Sequence, residues 1–293
     1  MEATSLRVAG ADGLEIHLLE WSREGTPLLF LHGFGNEAHV WDDAAAAVAP
    51  YYRTLAMDLR GHGDSSRDSE ARYDYDFHLA DLEAVLGALG IERLVLVGHS
   101  LGGRIAMRFA GRHPERLAGL VIVDSAPELD VRGTVRISVD LQRGGASGGD
   151  GVSFASAAEY RDVLARAYPA VARPLVERMA HHMLRRRDDG RFEPKLDPRW
   201  FEARRGSDET ALREREERLG REMWDALAQL PCPTLVVRGA ASDVMSPDVA
   251  DRMVDDVLRH GRLAVVPRSG HSVMLDNPEG FRAALTGFVL GEE

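Results

Sequence analysis

A serine lies at a sharp turn between a predicted strand and a predicted helix. The sequence GHSLGG fills residues 98–103, directly after the apolar run 94–97. The centre of so tight a turn is strained, and a Cβ on either flanking glycine would collide with neighbouring backbone. These features predict a nucleophile elbow with Ser100 as the nucleophile. Glycine-rich turns also serve nucleotide binding or plain packing, but the apolar strand and the following helix favour the elbow.

Further motifs make the chain resemble the α/β-hydrolase superfamily, from about residue 14 to residue 289. The sequence HGFG at residues 32–35 ends an apolar run, and the sequence DLRGHGDSS at residues 58–66 follows another. The resemblance implies a mostly parallel, twisted α/β sheet with helices on both faces and an inserted helical cap. Recurring apolar runs separated by helical stretches also predict such a sheet. The partly alternating residues 14–21 predict an antiparallel edge strand.

The resemblance implies that two backbone amides face the oxyanion of a tetrahedral intermediate. By position in the His-Gly loop, one is the amide of Phe34. The other is the amide of Leu101, which follows the nucleophile. Amides in the first turn of a helix lack intrahelical partners, and the helix dipole there favours negative charge.

A serine hydroxyl needs a general base, and a third group must orient that base. His271 follows the last predicted strand and is the predicted base. Asp243 follows the strand before it and is the predicted acid, because the order Ser100, Asp243, His271 is that of the family. Asp124 is the alternative, since some members of the family take the acid from an earlier strand.

The resemblance also implies side chains close to the substrate, namely Trp41, His99 and Val244. No metal ion and no organic cofactor is expected, because no metal-ligand spacing appears and the neighbours His181 and His182 cannot easily share one helix face. A set of large apolar residues in the predicted cap either packs the cap onto the core, which we favour, or lines an acyl pocket. These are Met179, Met183, Trp200, Phe201, Met223 and Trp224.

The strand and helix rhythm predicts one core with one insertion. Residues 1–127 and 231–293 are assigned to the α/β-hydrolase core, and residues 128–230 to the helical cap. The glycine-rich residues 144–151 predict a hinge or mobile loop. Helices within the cap are predicted at 157–167, 171–185 and 209–230.

Composition excludes several classes of function. The chain has 293 residues, 44% of them hydrophobic, and a net charge of −11. Clustered cationic groups drive phosphate binding, so nucleic acid and anionic membranes are not expected partners. No window approaches the roughly 20 apolar residues of a membrane span and no signal peptide is recognised, so we expect a cytoplasmic protein. The single cysteine, Cys232, allows no internal disulfide and is expected to be buried.

The predicted function is hydrolysis of small to medium, mostly apolar carboxylic esters through an acyl-enzyme intermediate. Alternatives are a lactonase or carbon-carbon bond hydrolase with the same triad, or a slow-turnover ligand receptor of the same fold. Epoxide hydrolases and haloalkane dehalogenases are disfavoured, because they carry an aspartate where this chain has Ser100. The expected partner is a small-molecule ester or lactone, and the sequence does not specify the oligomeric state.

Overall fold

A computed structural model of the protein describes residues 2–130, 133, 135–137, 139, 152–202 and 209–291, except the side chains of Phe201, Glu202 and Glu209. The predicted hinge at residues 144–151 lies outside the described residues. The strands are β1 (Thr4–Ala9), β2 (Glu15–Glu20), β3 (Thr26–Leu31), β4 (Tyr52–Met57), β5 (Leu94–His99), β6 (Leu117–Val123), β7 (Leu184–Arg186), β8 (Phe192–Pro194), β9 (Thr234–Gly239) and β10 (Gly261–Val266).

Eight of these strands form one twisted sheet in the order β1-β2-β4-β3-β5-β6-β9-β10. The six strands from β4 to β10 in this order run parallel, and β2 pairs antiparallel with both β1 and β4. The predicted antiparallel strand is therefore present as β2, but β1 covers its outer side and forms the edge. The sequence prediction missed β1, whose residues are mostly exposed and form no continuous apolar run.

The helices are α1 (Asp42–Val48), α2 (Tyr75–Ala88), α3 (Leu101–Arg112), α4 (Ala157–Ala167), α5 (Arg173–His182), α6 (Arg199–Glu202), α7 (Glu209–Gln229), α8 (Pro247–Asp251), α9 (Val273–Asp276) and α10 (Pro278–Leu290). A 3-10 turn, Ala38–Trp41, precedes α1. A π-type turn, Arg252–Val257, extends α8.

The central strands are apolar on both faces because each face carries its own layer of helices. Successive side chains of a strand point to opposite faces, so in β3 Leu29 joins one core cluster and Phe30 the other. The first cluster packs α2, α3 and α7 on the sheet, and the second packs α1 and α10 on the opposite face. This double burial produces the continuous apolar runs seen in the sequence.

Between β6 and β9 the described chain adds no strand to the large sheet. It contributes helices α4 to α7 and the two-stranded hairpin β7-β8. Helix α4 has the predicted bounds and packs against α5. Helix α7 packs on α3, and its residues Leu219, Met223 and Leu227 lie in the first core cluster. This helix therefore packs with the core, although the sequence prediction placed it in the cap.

No helix in the described parts of the chain is both long and apolar enough to cross a membrane. Cys232 is buried and unpaired, as the sequence predicts.

Candidate active site

Ser100 lies on the strained turn that the sequence predicts, between the end of β5 and the start of α3. Its backbone angles are φ 51° and ψ −112°, a conformation that L-residues rarely adopt. A Cβ at Gly98 would collide with the carbonyl group of Gly102, and a Cβ at Gly102 with the carbonyl group of Leu31. The two glycines therefore allow the chain to turn here and leave the serine partly exposed at the carboxyl end of the sheet.

A buried carboxylate holds the ring of His271. Nδ1 of His271 lies 2.8 Å from Oδ2 of Asp124, whose side chain is fully buried. The same carboxylate accepts the N–H of Gly239 at 3.0 Å and the hydroxyl of Ser242 at 2.6 Å. An ionised carboxylate only accepts hydrogen bonds, so Nδ1 carries the hydrogen and Nε2 is left as an acceptor. This tautomer is the one that a general base requires.

Asp243, which the sequence analysis predicts as the acid, is placed differently. Its two carboxylate oxygens accept hydrogen bonds from Nε and Nη2 of Arg136 at 2.5 and 2.8 Å. These bonds lower the pKa of Asp243 below its ordinary value, and the nearby charge of His271 contributes less. The carboxylate on the imidazole is therefore that of Asp124, the alternative weighed above, while Asp243 is paired with an arginine of the insertion.

Several polar contacts fix the loop that carries His271. The amide of Gly270 donates to Oδ2 of Asp276 at 2.8 Å. Nε2 of His99 lies 2.9 Å from the carbonyl oxygen of His271, and the two rings are 4.6 Å apart. His99 is almost fully buried, and burial holds its pKa well below its ordinary value, so its ring is neutral. His99, predicted to contact substrate, is thus placed to position the His271 loop.

Backbone contacts bring Ser100 and His271 to the same end of the sheet. The amide of Ser100 donates to the carbonyl oxygen of Val123 at 3.1 Å, and the next residue, Asp124, holds His271. The hydroxyl of Ser125 donates to the carbonyl oxygen of Ser100 at 2.8 Å. No hydrogen bond joins Oγ of Ser100 to the His271 ring among the described residues. Such bonds often form only when substrate is present, and a rotation about Cα–Cβ of the serine redirects its hydroxyl.

The predicted oxyanion loop follows β3 and is held by a buried histidine. The amide of Leu59 donates to Nε2 of His32 at 3.0 Å, so Nδ1 carries the hydrogen and donates to the carbonyl oxygen of Gly33 at 2.8 Å. Burial lowers the pKa of His32, in keeping with this neutral ring. Phe34 comes next, and Leu101 is the first residue of α3. Both predicted amide donors thus belong to segments that flank Ser100.

The remaining predicted substrate contacts lie in packed surroundings. Trp41 is fully buried and stacks on Phe30 at 4.9 Å in the second core cluster. Val244 is also buried, and its carbonyl oxygen accepts the amide of Asp130 at 2.9 Å. The start of the insertion therefore covers Val244.

The alpha/beta hydrolase family model matches residues 28–284. The chain belongs to the alpha/beta hydrolase family. The match spans the turn of Ser100, the loop that contains Phe34 and the loop of His271.

This alpha/beta hydrolase is similar along most of its length to proteins of several activities. It is 28% identical over 277 residues to the esterase Rv0045c of Mycobacterium tuberculosis, covering 93% of this chain and 85% of that protein. It is 29% identical over 289 residues to a 2-hydroxymuconate semialdehyde hydrolase of Pseudomonas, covering 96% and 92%. Among solved structures, an alpha/beta hydrolase from Novosphingobium aromaticivorans is 29% identical, with a TM-score of 0.81 over 100% of this chain and 99% of that chain. These similarities support a hydrolase.

Sequence reasoning about this alpha/beta hydrolase missed three groups that shape the site. Ser242 and Asp276 bind the carboxylate of Asp124 and the loop of His271, and Arg136 pairs with Asp243. Ser242 lies in the loop after β9, and Asp276 ends the short helix α9, five residues after His271. A search for polar residues near the two predicted residues Asp243 and His271 would have found both. Arg136 lies in the insertion and has no comparable signal.

Proposed function

We propose that this hydrolase is a serine hydrolase that cleaves small to medium, mostly apolar carboxylic esters through an acyl-enzyme intermediate. Ser100 acts as nucleophile, His271 as general base and Asp124 as the acid that orients the ring. One observation carries the proposal: a serine on a strained turn at the end of β5 shares the carboxyl end of the sheet with a histidine whose Nδ1 is 2.8 Å from a buried carboxylate. An alcohol so placed becomes a useful nucleophile at neutral pH.

In this mechanism, Oγ of Ser100 attacks the ester carbonyl carbon while Nε2 of His271 takes the hydroxyl proton. The carbonyl oxygen becomes an oxyanion that accepts hydrogen bonds from the amides of Phe34 and Leu101. Loss of one such donor costs about 3 to 4 kcal/mol of barrier in comparable enzymes. The intermediate expels the alcohol, which receives the proton from His271. A water molecule then repeats the sequence on the acyl-serine and releases the acid.

Apolar side chains beside the oxyanion loop support a preference for apolar substrates. The ring of Phe34 is partly exposed and lies 4.8 Å from the ring of Trp200 and 5.7 Å from the ring of His62. Burial lowers the pKa of His62 to about 3, so this ring is neutral. An apolar acyl or alcohol group gains more from such a surface than a charged one, because burial of unpaired charge is costly.

Carbon-carbon bond hydrolysis is the second candidate, and the similarity to the 2-hydroxymuconate semialdehyde hydrolase favours it. The reaction would use the same three residues and the same pair of amides. It differs in the leaving group, which is a carbon atom that must be protonated. Substrate preference therefore separates the two candidates, and the site geometry does not.

A substrate panel tests the proposal. We would measure steady-state hydrolysis of nitrophenyl acetate, butyrate and octanoate, of simple lactones and of a vinylogous diketone, with the native protein and Ser100→Ala. We expect multiple turnovers on the esters and at least a thousandfold loss in the variant. A mass increase on Ser100 after treatment with a fluorophosphonate gives a second readout.

Three results would contradict it. Unchanged ester hydrolysis by Ser100→Ala excludes this serine as the nucleophile. Turnover of the diketone far above that of the esters selects the carbon-carbon bond hydrolase. Tight small-molecule binding with negligible turnover of every class selects a ligand receptor.

A further inference from the structure

A second cluster of metal-binding side chain types lies where the insertion meets the core. It comprises His39 in the 3-10 turn, Asp42 at the start of α1 and His182 at the end of α5, and each offers a ligand atom within 4.8 Å of the other two. Nδ1 of His39 lies 3.1 and 3.3 Å from the two oxygens of Asp42. The rings of His39 and His182 stack, with centroids 3.5 Å apart and planes at 22°. Three groups from two parts of the fold therefore share one small space.

The backbone and neighbouring ion pairs explain why these groups meet. His39 and Asp42 are three residues apart in a continuous helical turn, so they lie on the same side of it. Arg178, one turn before His182 on α5, bonds both oxygens of Asp43 at 2.6 and 3.1 Å and lies 3.6 Å from Asp42. This contact docks α5 on the start of α1 and carries His182 to the ring of His39. The sequence alone did not reveal the cluster, because His182 meets residues 140 and 143 positions earlier in the chain rather than its neighbour His181.

The spacing is close to that of a zinc site. Zinc bonds of about 2.0 to 2.1 Å place the ligand atoms of a tetrahedral site about 3.3 Å apart, so His39 and Asp42 already have nearly this separation. Stacking keeps the ligand nitrogens of both histidines and the oxygen of Asp42 within 4.8 Å of one another. A rotation of the His182 ring about Cβ–Cγ changes the direction of its nitrogen lone pair and can aim it at the same ion. Among the described residues, no hydrogen bond holds the ring of His182, so its rotation breaks no hydrogen bond. His39 and Asp42 are about one-quarter exposed, which lets water complete the coordination.

The surrounding charges permit a cation. Asp42, Asp43 and the C-terminal end of α5 attract it, whereas Arg178 and Lys195 oppose it. When a metal ion binds, it replaces the hydrogen on Nδ1 of His39. Nδ1 of His39 and the carboxylate of Asp42, now in contact with each other, then both bind the ion.

Another cluster of the same residue types has no capacity left for an ion. It contains His17, Asp58 and Asp64. Asp58 accepts hydrogen bonds from the amides of Ala38 and Asp64 at 2.7 and 2.8 Å and contacts Nδ1 of His17 at 2.7 Å. Its oxygens are buried and already paired, so this cluster supports the loop after β4.

We propose that His39, Asp42 and His182 together bind one transition metal ion of the zinc type, which fastens α5 of the insertion to the core. None of the three ligands belongs to a segment that carries Ser100, Asp124 or His271, and the ion takes no part in hydrolysis. Because it binds the folded chain through residues from both parts, it stabilises their contact.

Competition for Zn²⁺ with a chromophoric chelator tests this inference on the full chain, with no need for enzyme activity. We expect one tight site per chain in the native protein. His182→Gln and His39→Gln are expected to bind at least tenfold more weakly, and His181→Gln, an exposed neighbour on the same helix end, to bind like the native protein. ZnCl₂ should raise the melting temperature of the native protein and of His181→Gln, and raise that of His182→Gln far less. Circular dichroism confirms that each variant is folded.

Two outcomes overturn the inference. One is the absence of Zn²⁺ binding below millimolar concentration, or equal binding by the native protein and both glutamine variants at positions 39 and 182. The other is loss of the tight site in His271→Gln, which would place the ion at the hydrolytic site. Neither outcome depends on whether the chain hydrolyses esters, so the two proposals fail separately.

Discussion

Replacement of Asp124 by asparagine should disable the base while leaving the fold intact. The asparagine carbonyl can still accept the amide of Gly239, which leaves its NH₂ group facing Nδ1 of His271. A donor in that place forces the ring into the tautomer with its hydrogen on Nε2, which cannot accept the proton of Ser100. In a serine protease the same exchange lowers kcat about 10⁴-fold. At 1.36 kcal/mol for each tenfold, this corresponds to about 5 kcal/mol of barrier.

Asp243→Asn is the matched control, because it makes the same chemical change one strand away. Both oxygens of Asp243 are bound by Arg136, and its side chain is 40% exposed. Solvent screens the charge of a carboxylate that is this exposed. We therefore expect that loss of the Asp243 charge changes kcat by less than about threefold. The two variants should therefore differ by about three orders of magnitude.

The rate of Ser100 labelling by a fluorophosphonate measures this difference without knowledge of the natural substrate, and hydrolysis of nitrophenyl butyrate provides kcat. Ser100→Ala gives the background of both assays, and urea unfolding checks that Asp124→Asn loses no more than about 3 kcal/mol of stability. Near-native labelling of Asp124→Asn, together with a large loss in Asp243→Asn, would refute the assignment of the acid.

Three further predictions concern stability. Gly102→Ala puts a Cβ against the carbonyl group of Leu31, and we expect a loss of about 3 kcal/mol in urea unfolding; an unchanged midpoint would contradict the steric argument. Burial lowers the pKa of His62 to about 3 from 6.5, so below pH 6.5 the unfolded chain binds a proton that the folded chain does not. The free energy of unfolding is therefore unaffected by His62 above pH 6.5 and is lowered by roughly 2 kcal/mol at pH 5. Between pH 7 and pH 5, His62→Gln should lose less stability than the native protein. An equal loss in both proteins would count against this explanation. Tyr73→Phe removes the hydrogen bond to the buried Asp197 but keeps the ring; we expect a loss of about 1 to 2 kcal/mol with kcat within twofold, and a thermal melt and an esterase assay check both.

The fold and the elbow follow from local patterns. Strands buried on both faces need continuous apolar residues, as in β3 and β5, and the turn at Ser100 needs its two flanking glycines. Both requirements concern short stretches of chain, so a single sequence shows them. The strand β1 lacks such a pattern, because it is an edge strand with one neighbour and mostly exposed side chains.

The identity of the acid could not be derived in the same way. Asp124 and Asp243 follow β6 and β9, which are neighbouring parallel strands, so both reach the same edge of the sheet. The hydroxyl of Ser242 and the amide of Gly239 bind Asp124, and Arg136 binds Asp243. These partners depend on how distant segments pack. Likewise, only the packing of the 3-10 turn shows that Trp41 faces Phe30 in the core.

The presence of acidic groups on both adjacent strands has a consequence for how such enzymes diverge. A lineage that moves the acid from one strand to the next need not pass through an inactive ancestor, because a chain with both groups keeps one in use throughout. In this chain the guanidinium group of Arg136, from the insertion, pairs with Asp243, and Asp124 contacts the ring of His271. Substitutions in the insertion, a region expected to determine substrate choice, can in this way also change which of the two carboxylates contacts the histidine.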